Sequence, residues 1–473
     1  MFTPLTSFTQ QIAARGRVRL LAGAFAVLTA GALGLAAACP QAAWADVRKA
    51  DVVMGQTVDA RGLAVAQCPS IDAEHAIVVG SDGTVYFERD AQAPAQIASI
   101  TKVMTALVAM DAVDAGTVAL SDPVTVSAAA ASVGESTASL QEGDRMTLDD
   151  ALKALLVPSG NDASVAIAEM VGRQLAGTSD DTAAMAAFVD AMNAKAAALG
   201  CADTVYSNPH GLDFDEWAGD LHSTAADQAK VVAAAMDHDE IRTIVAGGST
   251  TIPVIRGGAE TTISLQTTDG FLELYDHAIG VKTGFTALAG SSFAGASYDG
   301  KRELYAIVLD SSSDQQRFVD AETLCSWVYD HMASVPLATS AETATMDGEQ
   351  VPVVARVAHS GWVDATVRAT LANPQQTVEV FDLNGNVSQS FEFRDVTGSV
   401  RAGDKIGTVT YKQRNEVVAT ADVVAAEDVA GPNVFQSIGT WFDRLVRGIT
   451  GQPQQADTTV LNTMPLVVDK TAA

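Results

Sequence analysis

Between residues 76 and 88 two apolar-rich runs, Ala76-Ile-Val-Val79 and Thr84-Val-Tyr-Phe87, flank an Asp82-Gly83 turn, a pattern that predicts a β-hairpin. A second hairpin is predicted where Phe293 to Ser297 and Leu304 to Leu309 flank Asp299-Gly300. Between these pairs the apolar period lengthens. Val103, Leu107 and Met110 recur at helical spacing, Thr147 and Asp150 suit a capping box, and Leu152, Leu155 and Leu156 continue an apolar face. Strands at both ends with helices between them predict an α+β arrangement or a helix-flanked antiparallel sheet.

From about Pro336 the pattern changes to short alternating runs: Val351 to Val357, Trp362 to Leu371, Thr377 to Phe381, Lys405 to Tyr411 and Val417 to Val424. They predict a separate, small all-β domain over 336–430, and nothing in them pairs an acid, a base and a nucleophile. After Gly431-Pro432, the residues Val434, Phe435, Ile438, Trp441, Phe442, Leu445, Val446 and Ile449 make one helical stripe, with Gln436, Thr440, Asp443, Arg444 and Arg447 opposite. This segment, 431–450, is too short and too charged to span a bilayer. It is expected to be an amphipathic helix lying at a membrane surface, the alternative being a helix docked on the β-domain or on a partner. The polar tail 451–473 has no clear period and is expected to be disordered.

The N-terminus has the form of an export signal. Arg15, Arg17 and Arg19 precede an apolar run from Leu20 to Ala38, and Ala43-Trp-Ala45 has the small-x-small form of a signal-peptidase site, so 1–45 is expected to be removed. An uncleaved anchor and lipidation at Cys39 are the alternatives, and all three export the protein. With 29 Lys and Arg against 57 Asp and Glu, the chain carries a formal charge of -28, which disfavours nucleic acid as a partner. Cleavage after Ala45 leaves Cys68, Cys201 and Cys325, so at most one disulfide forms within the chain. None of the cysteines has metal-knuckle spacing, and no His-x-x-x-His pair occurs, so no metal site is expected. At 473 residues with 48% hydrophobic content, the chain has room for two or more cores.

Three short motifs then occur once each and in order: Ser99-Ile-Thr-Lys102, Ser159-Gly-Asn161 and Lys282-Thr-Gly284. Ser99 and Lys102 are three apart at the start of a helical pattern, so they share its first turn. A hydroxyl becomes a nucleophile only with a base in hydrogen-bond reach, and a lysine is such a base only when burial or neighbouring positive charge depresses its pKa. Alone, this motif reads as an N-cap serine with a solvated lysine. Ser159-Gly-Asn161 follows Pro158 between two helical stretches, where a rigid loop can aim side chains into a cleft; Ser159 suits proton relay, and Asn161 suits holding Lys102 and a substrate amide. Lys282-Thr-Gly284 ends a strand entered through Ile279-Gly-Val281, whose glycine would let a substrate backbone approach closely. Lys282 and Thr283 suit a substrate carboxylate.

Together the motifs resemble the signature of the penicillin-recognising serine enzymes. Four stretches narrow the resemblance to serine-type D-alanyl-D-alanine carboxypeptidases, the low-molecular-mass penicillin-binding proteins: Ala98-Ser-Ile-Thr-Lys-Val-Met-Thr105, Pro158-Ser-Gly-Asn-Asp-Ala163, Asn208-Pro-His-Gly-Leu-Asp213 and Gly280-Val-Lys-Thr-Gly-Phe-Thr286. The likeness runs from about Ala50 to the C-terminal helix. It implies an α+β peptidase domain over 46–335, an antiparallel sheet flanked by helices with an inserted helical subdomain, then the small all-β domain and a membrane-associating helix. It implies Ser99 as acylated nucleophile, Lys102 as general base, and Ser159, Asn161 and Lys282 as the rest of the proton-transfer and positioning network. Thr283, Gly284 and Arg317 would bind the substrate, and the backbone N–H groups of Ser99 and Phe285 would form the oxyanion hole. His210 would organise its loop. The implied partners are peptidoglycan stem peptides, β-lactam antibiotics as covalent inhibitors, and the outer face of the cytoplasmic membrane; no cofactor is implied. Endopeptidase or transpeptidase activity is the alternative. A class A β-lactamase fits less well because the chain lacks its Glu-x-x-Leu-Asn pattern, and a non-catalytic scaffold fits less well because the triplet is intact.

Overall fold

The computed structural model describes residues 68–467 and the backbone of Val52–Val53, so the expected export signal, Cys39 and residues 468–473 lie outside the described residues. A six-stranded antiparallel sheet organises the first two thirds of the chain. Its strands are β1 (Val52–Val53), β2 (His75–Gly80), β3 (Val85–Arg89), β8 (Ala278–Thr286), β9 (Gly290–Tyr298) and β10 (Glu303–Ser311), in the order β1-β3-β2-β10-β9-β8. The first and second predicted hairpins are β2-β3 and β9-β10, joined by β10 pairing with β2 through partners such as Ile307 and Ile77.

Both faces of this sheet are covered, which is why its strands read as nearly continuous apolar runs. Ile77, Val79, Tyr305, Ile307 and Leu309 enter one core with helix α1 (Thr101–Asp114), while Ala76, Val78, Leu304, Ala306 and Val308 enter another beneath helix α6 (Gln316–Asp330). On the first side, α2 (Leu148–Leu156), α3 (Asn161–Ala176), α4 (Asp181–Ala198) and α5 (Ala225–Met236) form the helical part. Helix α1 is at its centre. The spacing of Val103, Leu107 and Met110 predicts a one-sided helix, yet Lys102, Thr105, Ala106, Val108 and Ala109 are buried as well, so α1 is packed all round.

A four-stranded sheet of β4 (Pro123–Thr125), β5 (Arg145–Thr147), β6 (Thr250–Arg256) and β7 (Ala259–Leu265) has no counterpart in the predicted elements. Its two shortest strands have three residues each, and β5 meets β6 only through Arg145 and Ile255.

From Met332 onward the fold is all-β up to one terminal helix. Six strands order as Ser388–Phe393, Lys405–Gln413, Glu416–Ala425, Thr366–Leu371, Ala355–Ala358 and Thr459–Val460 around a core that includes Val335, Leu337, Val367, Leu371, Val409 and Tyr411. The predicted run Val351 to Val357 is two strands, Glu349–Pro352 and Ala355–Ala358, in different sheets. Phe381 reaches back from this region, its ring 5.1 Å from Tyr86 and 5.3 Å from Trp327.

Helix α7 (Val434–Thr450) starts at a capping box between Asn433 and Gln436 and stops at Gly451, whose φ is 72°. It docks by its polar side. Arg444 donates to the carbonyls of Ser360 and Trp362, and Arg447 pairs with Asp364 at 2.7 Å. The following tail corrects an expectation. Instead of being disordered, Thr459–Val460 pairs with the strand edge at Ala355 and Arg356, and Asn462 is buried, donating to the Leu337 carbonyl at 2.8 Å and accepting from the Thr339 N–H at 2.8 Å. Backbone pairing and one buried amide order this segment, and neither leaves a hydrophobic period to read.

Candidate active site

The three motifs converge where the edge strand β8 faces the helical part, around a cleft of about 420 Å³ lined by Ser99, Ser159, Asn161, Thr283, Phe285 and Arg317 among others. Lys102 and Lys282 lie beneath its floor, 0% and 1% exposed. Two cleft-wall turns hold residues other than glycine at positive φ, Ala98 at 46° and Ser159 at 63°, a strain that persists only where packing on every side enforces it.

Ser99 sits in a single tight turn, Ala98–Ile100, that runs into α1, and one helical turn later Lys102 Nζ lies 2.7 Å from Ser99 Oγ. Burial, reinforced by the Lys282 charge, holds the Lys102 amine well below its usual pKa, and Asp162 opposes the shift. Lys102 also donates to the His210 carbonyl at 3.0 Å. In a neutral amine, an N–H directed at His210 leaves the lone pair free to face Ser99.

The loop around His210 is built to present that carbonyl. Asn208 Oδ1 accepts from the N–H groups of His210 and Gly211 at 3.2 and 2.7 Å, and its Nδ2 donates to the Leu212 carbonyl at 2.9 Å. Gly211 has a φ of +91°, and a Cβ there would stand 1.9 Å from the Ala98 carbonyl oxygen, so the loop presses directly on the turn that carries Ser99. Burial, with Lys102 adding to it, pushes the His210 imidazole down to about 3, so the ring is neutral and its Nδ1 accepts from the Leu212 N–H.

Asn161 does not bond Lys102 as the motif suggested. Its Nδ2 donates to the Gly134 carbonyl at 2.9 Å, and its buried Oδ1 has no partner. Its neighbour Asp162 accepts from Thr137 Oγ1 and from the N–H groups of Ala138 and Leu140, tying the 133–140 segment to the start of α3.

Across the cleft, Lys282 Nζ donates to the Thr283 carbonyl at 2.9 Å, and Thr283 Oγ1 lies 2.8 Å from Thr268 Oγ1. Burial, then the Arg317 charge, pushes Lys282 down to about 7, while Asp269 pulls it up. Burial pushes that buried Asp269 up to about 6, against its backbone hydrogen bonds and the Lys282 and Arg317 charges. Arg317 donates to the Gly284 carbonyl at 3.2 Å and pairs with Asp314 at 3.1 Å. The glycines need a correction. A Cβ on Gly280 would meet Val245 at 2.7 Å and one on Gly284 would meet the Ile97 carbonyl at 2.6 Å, so both make room for the protein's own chain rather than for substrate.

Three contributors escaped the motif analysis: Asp162, Thr268 and Asp269. Asp162 immediately follows Ser159-Gly-Asn161, whereas Thr268 and Asp269 are separated from Lys282 by the short helix Phe271–Leu274 and carry no local signal.

A helix-flanked antiparallel sheet with a cleft-lining serine on a buried lysine beside its edge strand, opposite a second buried lysine, defines a serine acyl-transfer enzyme of the penicillin-recognising type. Comparison with known proteins agrees. Residues 63–313 match the D-alanyl-D-alanine carboxypeptidase family, and the chain belongs to that family of serine peptidases. It is 28% identical over 378 residues to D-alanyl-D-alanine carboxypeptidase DacF of Bacillus subtilis, covering 78% of this chain and 90% of that one. It is 36% identical over 222 residues to D-alanyl-D-alanine carboxypeptidase DacB2 of Mycobacterium tuberculosis, covering 47% of this chain and 69% of that one. The crystal structure of the Streptomyces K15 DD-transpeptidase superposes with a TM-score of 0.52 at 28% identity, covering 55% of this chain and 98% of that one.

Proposed function

We propose that this D-alanyl-D-alanine carboxypeptidase works through an acyl-enzyme on Ser99. The observation that carries the assignment is the 2.7 Å contact between Ser99 and a fully buried Lys102 whose amine is held by the His210 carbonyl. Lys102 takes the Ser99 proton as Oγ attacks the penultimate D-alanine carbonyl of a peptidoglycan stem peptide. The oxyanion is held by the N–H groups of Ser99 and Phe285. Lys102 and Ser159 return the proton to the leaving amine and D-alanine departs; water, its proton taken by Lys102, then attacks the acyl carbon, the bond to Ser99 Oγ breaks, and Lys102 gives the proton back to Oγ. Asn161 Oδ1, buried without a partner, suits a substrate N–H. Lys282 supplies positive field, and Thr283 and Arg317 take the terminal carboxylate. A β-lactam enters the same path, and its acyl-enzyme on Ser99 persists.

The substrate is outside the cytoplasmic membrane, consistent with the export signal expected over 1–45. Helix α7 supports a place at the membrane surface: its polar side is tied to the β-rich region, while Phe435 and Ile449 are 85% and 79% exposed. No helix among the described residues is long and apolar enough to cross a membrane.

D-alanine release from an acetylated Lys-D-Ala-D-Ala peptide tests the assignment. Ser99→Ala is expected to lose activity by about a millionfold together with covalent penicillin labelling. Retention of most of the release by this variant would sink the nucleophile assignment.

A further inference from the structure

Behind the loop whose carbonyl faces Lys102 lies a second cavity, of about 640 Å³, and none of the residues lining it lines the cleft at Ser99. Helix α3 connects the two. Asn161 is in the cleft wall, and Val165 and Glu169, one and two turns further along the same face of the helix, line the cavity. Helix α4 supplies Asp181 and Met185 at the same spacing, and the segment between Ser207 and Trp217 supplies another wall.

The charge of this cavity has one sign. Glu169, Asp181, Asp190 and Glu216 line it, and no lysine or arginine does. Glu169 is 2% exposed and accepts from Ser127 Oγ at 2.8 Å, and Arg173 stands 2.6 Å from Asp181 and 3.5 Å from Glu169. Asp190 and Glu216 are exposed and form no ion pair among the described residues. Val165, Met185 and Trp217 place apolar surface beside these carboxylates.

The wall also holds a donor without an acceptor. His210 is 0% exposed and its Nδ1 accepts from the Leu212 N–H, so in the neutral ring the proton is on Nε2, which is buried and has no hydrogen-bond partner. The ring meets Trp217 edge-to-face, with 4.5 Å between centroids, and both residues line the cavity. A buried donor left unmatched is costly, and an acceptor atom brought in by a ligand removes that cost.

Two unpaired carboxylates, apolar surface and an unmatched N–H suit an organic cation with an apolar body and a carbonyl or hydroxyl oxygen. We propose that this cavity binds small amines of that kind and that its occupancy acts on Ser99 through Pro209 and His210. These two residues line the cavity, while their carbonyls accept from Thr105 and Lys102 of α1 at 2.6 and 3.0 Å. The site stands without the acyl-enzyme mechanism, and only its action on Ser99 rests on that reading.

The test is the Kd of three ligands, measured by nuclear magnetic resonance titration against the full protein at about pH 6, where an α-amino group is protonated. Phenylalaninamide carries the cation, the ring and the carbonyl; phenethylamine lacks the carboxamide, and N-acetylphenylalaninamide lacks the charge. Phenylalaninamide is expected to bind about fivefold more tightly than either. Asp190→Asn combined with Glu216→Gln should erase its advantage over N-acetylphenylalaninamide and keep its advantage over phenethylamine. Met185→Trp, which fills the cavity, should weaken all three by about tenfold. The two carboxylate changes are at exposed positions and decide the question even where Met185→Trp does not fold. An advantage over N-acetylphenylalaninamide that survives the double variant overturns the carboxylate contact, and no advantage over phenethylamine overturns the contact with His210. Absence of binding, or binding that a folded Met185→Trp leaves untouched, overturns the site. At saturating phenylalaninamide the rate of Ser99 acylation by penicillin is expected to change by about fivefold. An unchanged rate overturns the action on Ser99 and leaves the site, whereas binding by a protein that penicillin does not label at all overturns the mechanism and that action together, again leaving the site.

Discussion

Around Ser99 the protein hides charge, and along α7 it displays apolar surface. Lys102, Asp162, Lys282, Asp269 and Arg317 are 0%, 3%, 1%, 5% and 7% exposed, whereas Phe435, Ile438, Trp441 and Phe442 are 85%, 60%, 64% and 60% exposed. Both reverse the usual distribution of side chains. In the cleft the cost is desolvation, offset inside the chain by hydrogen bonds such as Lys102 to His210 and Arg317 to Gly284. On α7 nothing among the described residues offsets it, since the polar side of the helix is the side that docks. The buried polar groups with fixed partners are what the proposed chemistry at Ser99 uses, and the outward apolar stripe with its polar side secured is what the proposed membrane contact of α7 uses.

The largest effect expected from breaking the first half of this contrast is Lys102→Met. Loss of the proposed general base should lower D-alanine release by about ten-thousandfold, while thermal stability stays equal or rises because a desolvated amine is replaced by an apolar side chain of similar length. A variant that is both inactive and strongly destabilised would show that Lys102 is held there for packing.

Gly211→Ala comes next. Its Cβ would stand 1.9 Å from the Ala98 carbonyl oxygen, so the His210 loop and the Ser99 turn must part. The expected result is a loss of about 3 kcal/mol of stability and slower penicillin acylation. Gly83, at a φ of +82° but with open space around it, should lose only about 1 kcal/mol on the same change. Equal losses at the two positions would remove the steric coupling.

The pH dependence sharpens the electrostatic side. Lys282 is pushed down to about 7 by burial, so its ammonium is present below that pH and lost above it. Since the proposed role needs the positive charge, kcat/KM should fall as pH rises through about 7; a profile flat from about pH 6 to pH 9 would contradict it.

Replacing Phe435 and Trp441 of α7 by serine tests the other half. Binding to phospholipid vesicles should weaken by roughly a hundredfold, with release from soluble peptides and the unfolding temperature both unaltered. A drop in stability instead would mean that the stripe packs on protein.

Much of the site was legible because its motifs are local. Ser99 and Lys102 share one helical turn, Ser159 and Asn161 one loop, and Lys282, Thr283 and Gly284 one strand, so spacing alone places the members of each motif together. The hairpins and the α7 stripe were legible for the same reason, each being a periodic pattern closed by a turn or a cap. The sheet β4–β7 was not, because it joins short segments from before and after the helices, and the ordered tail was not, because it depends on backbone pairing.

From the chain alone come the elements, the three motifs, and the chemistry their residue types permit, since these depend on neighbours within a few positions. The fold alone decides that burial holds the Lys102 amine well below its usual pKa, that the His210 carbonyl rather than its ring meets that amine, that the strand glycines accommodate Val245 and Ile97, and that α7 turns its apolar side outward. Each of these depends on which distant groups exclude water from a given atom, and that is set only when segments far apart in sequence pack together.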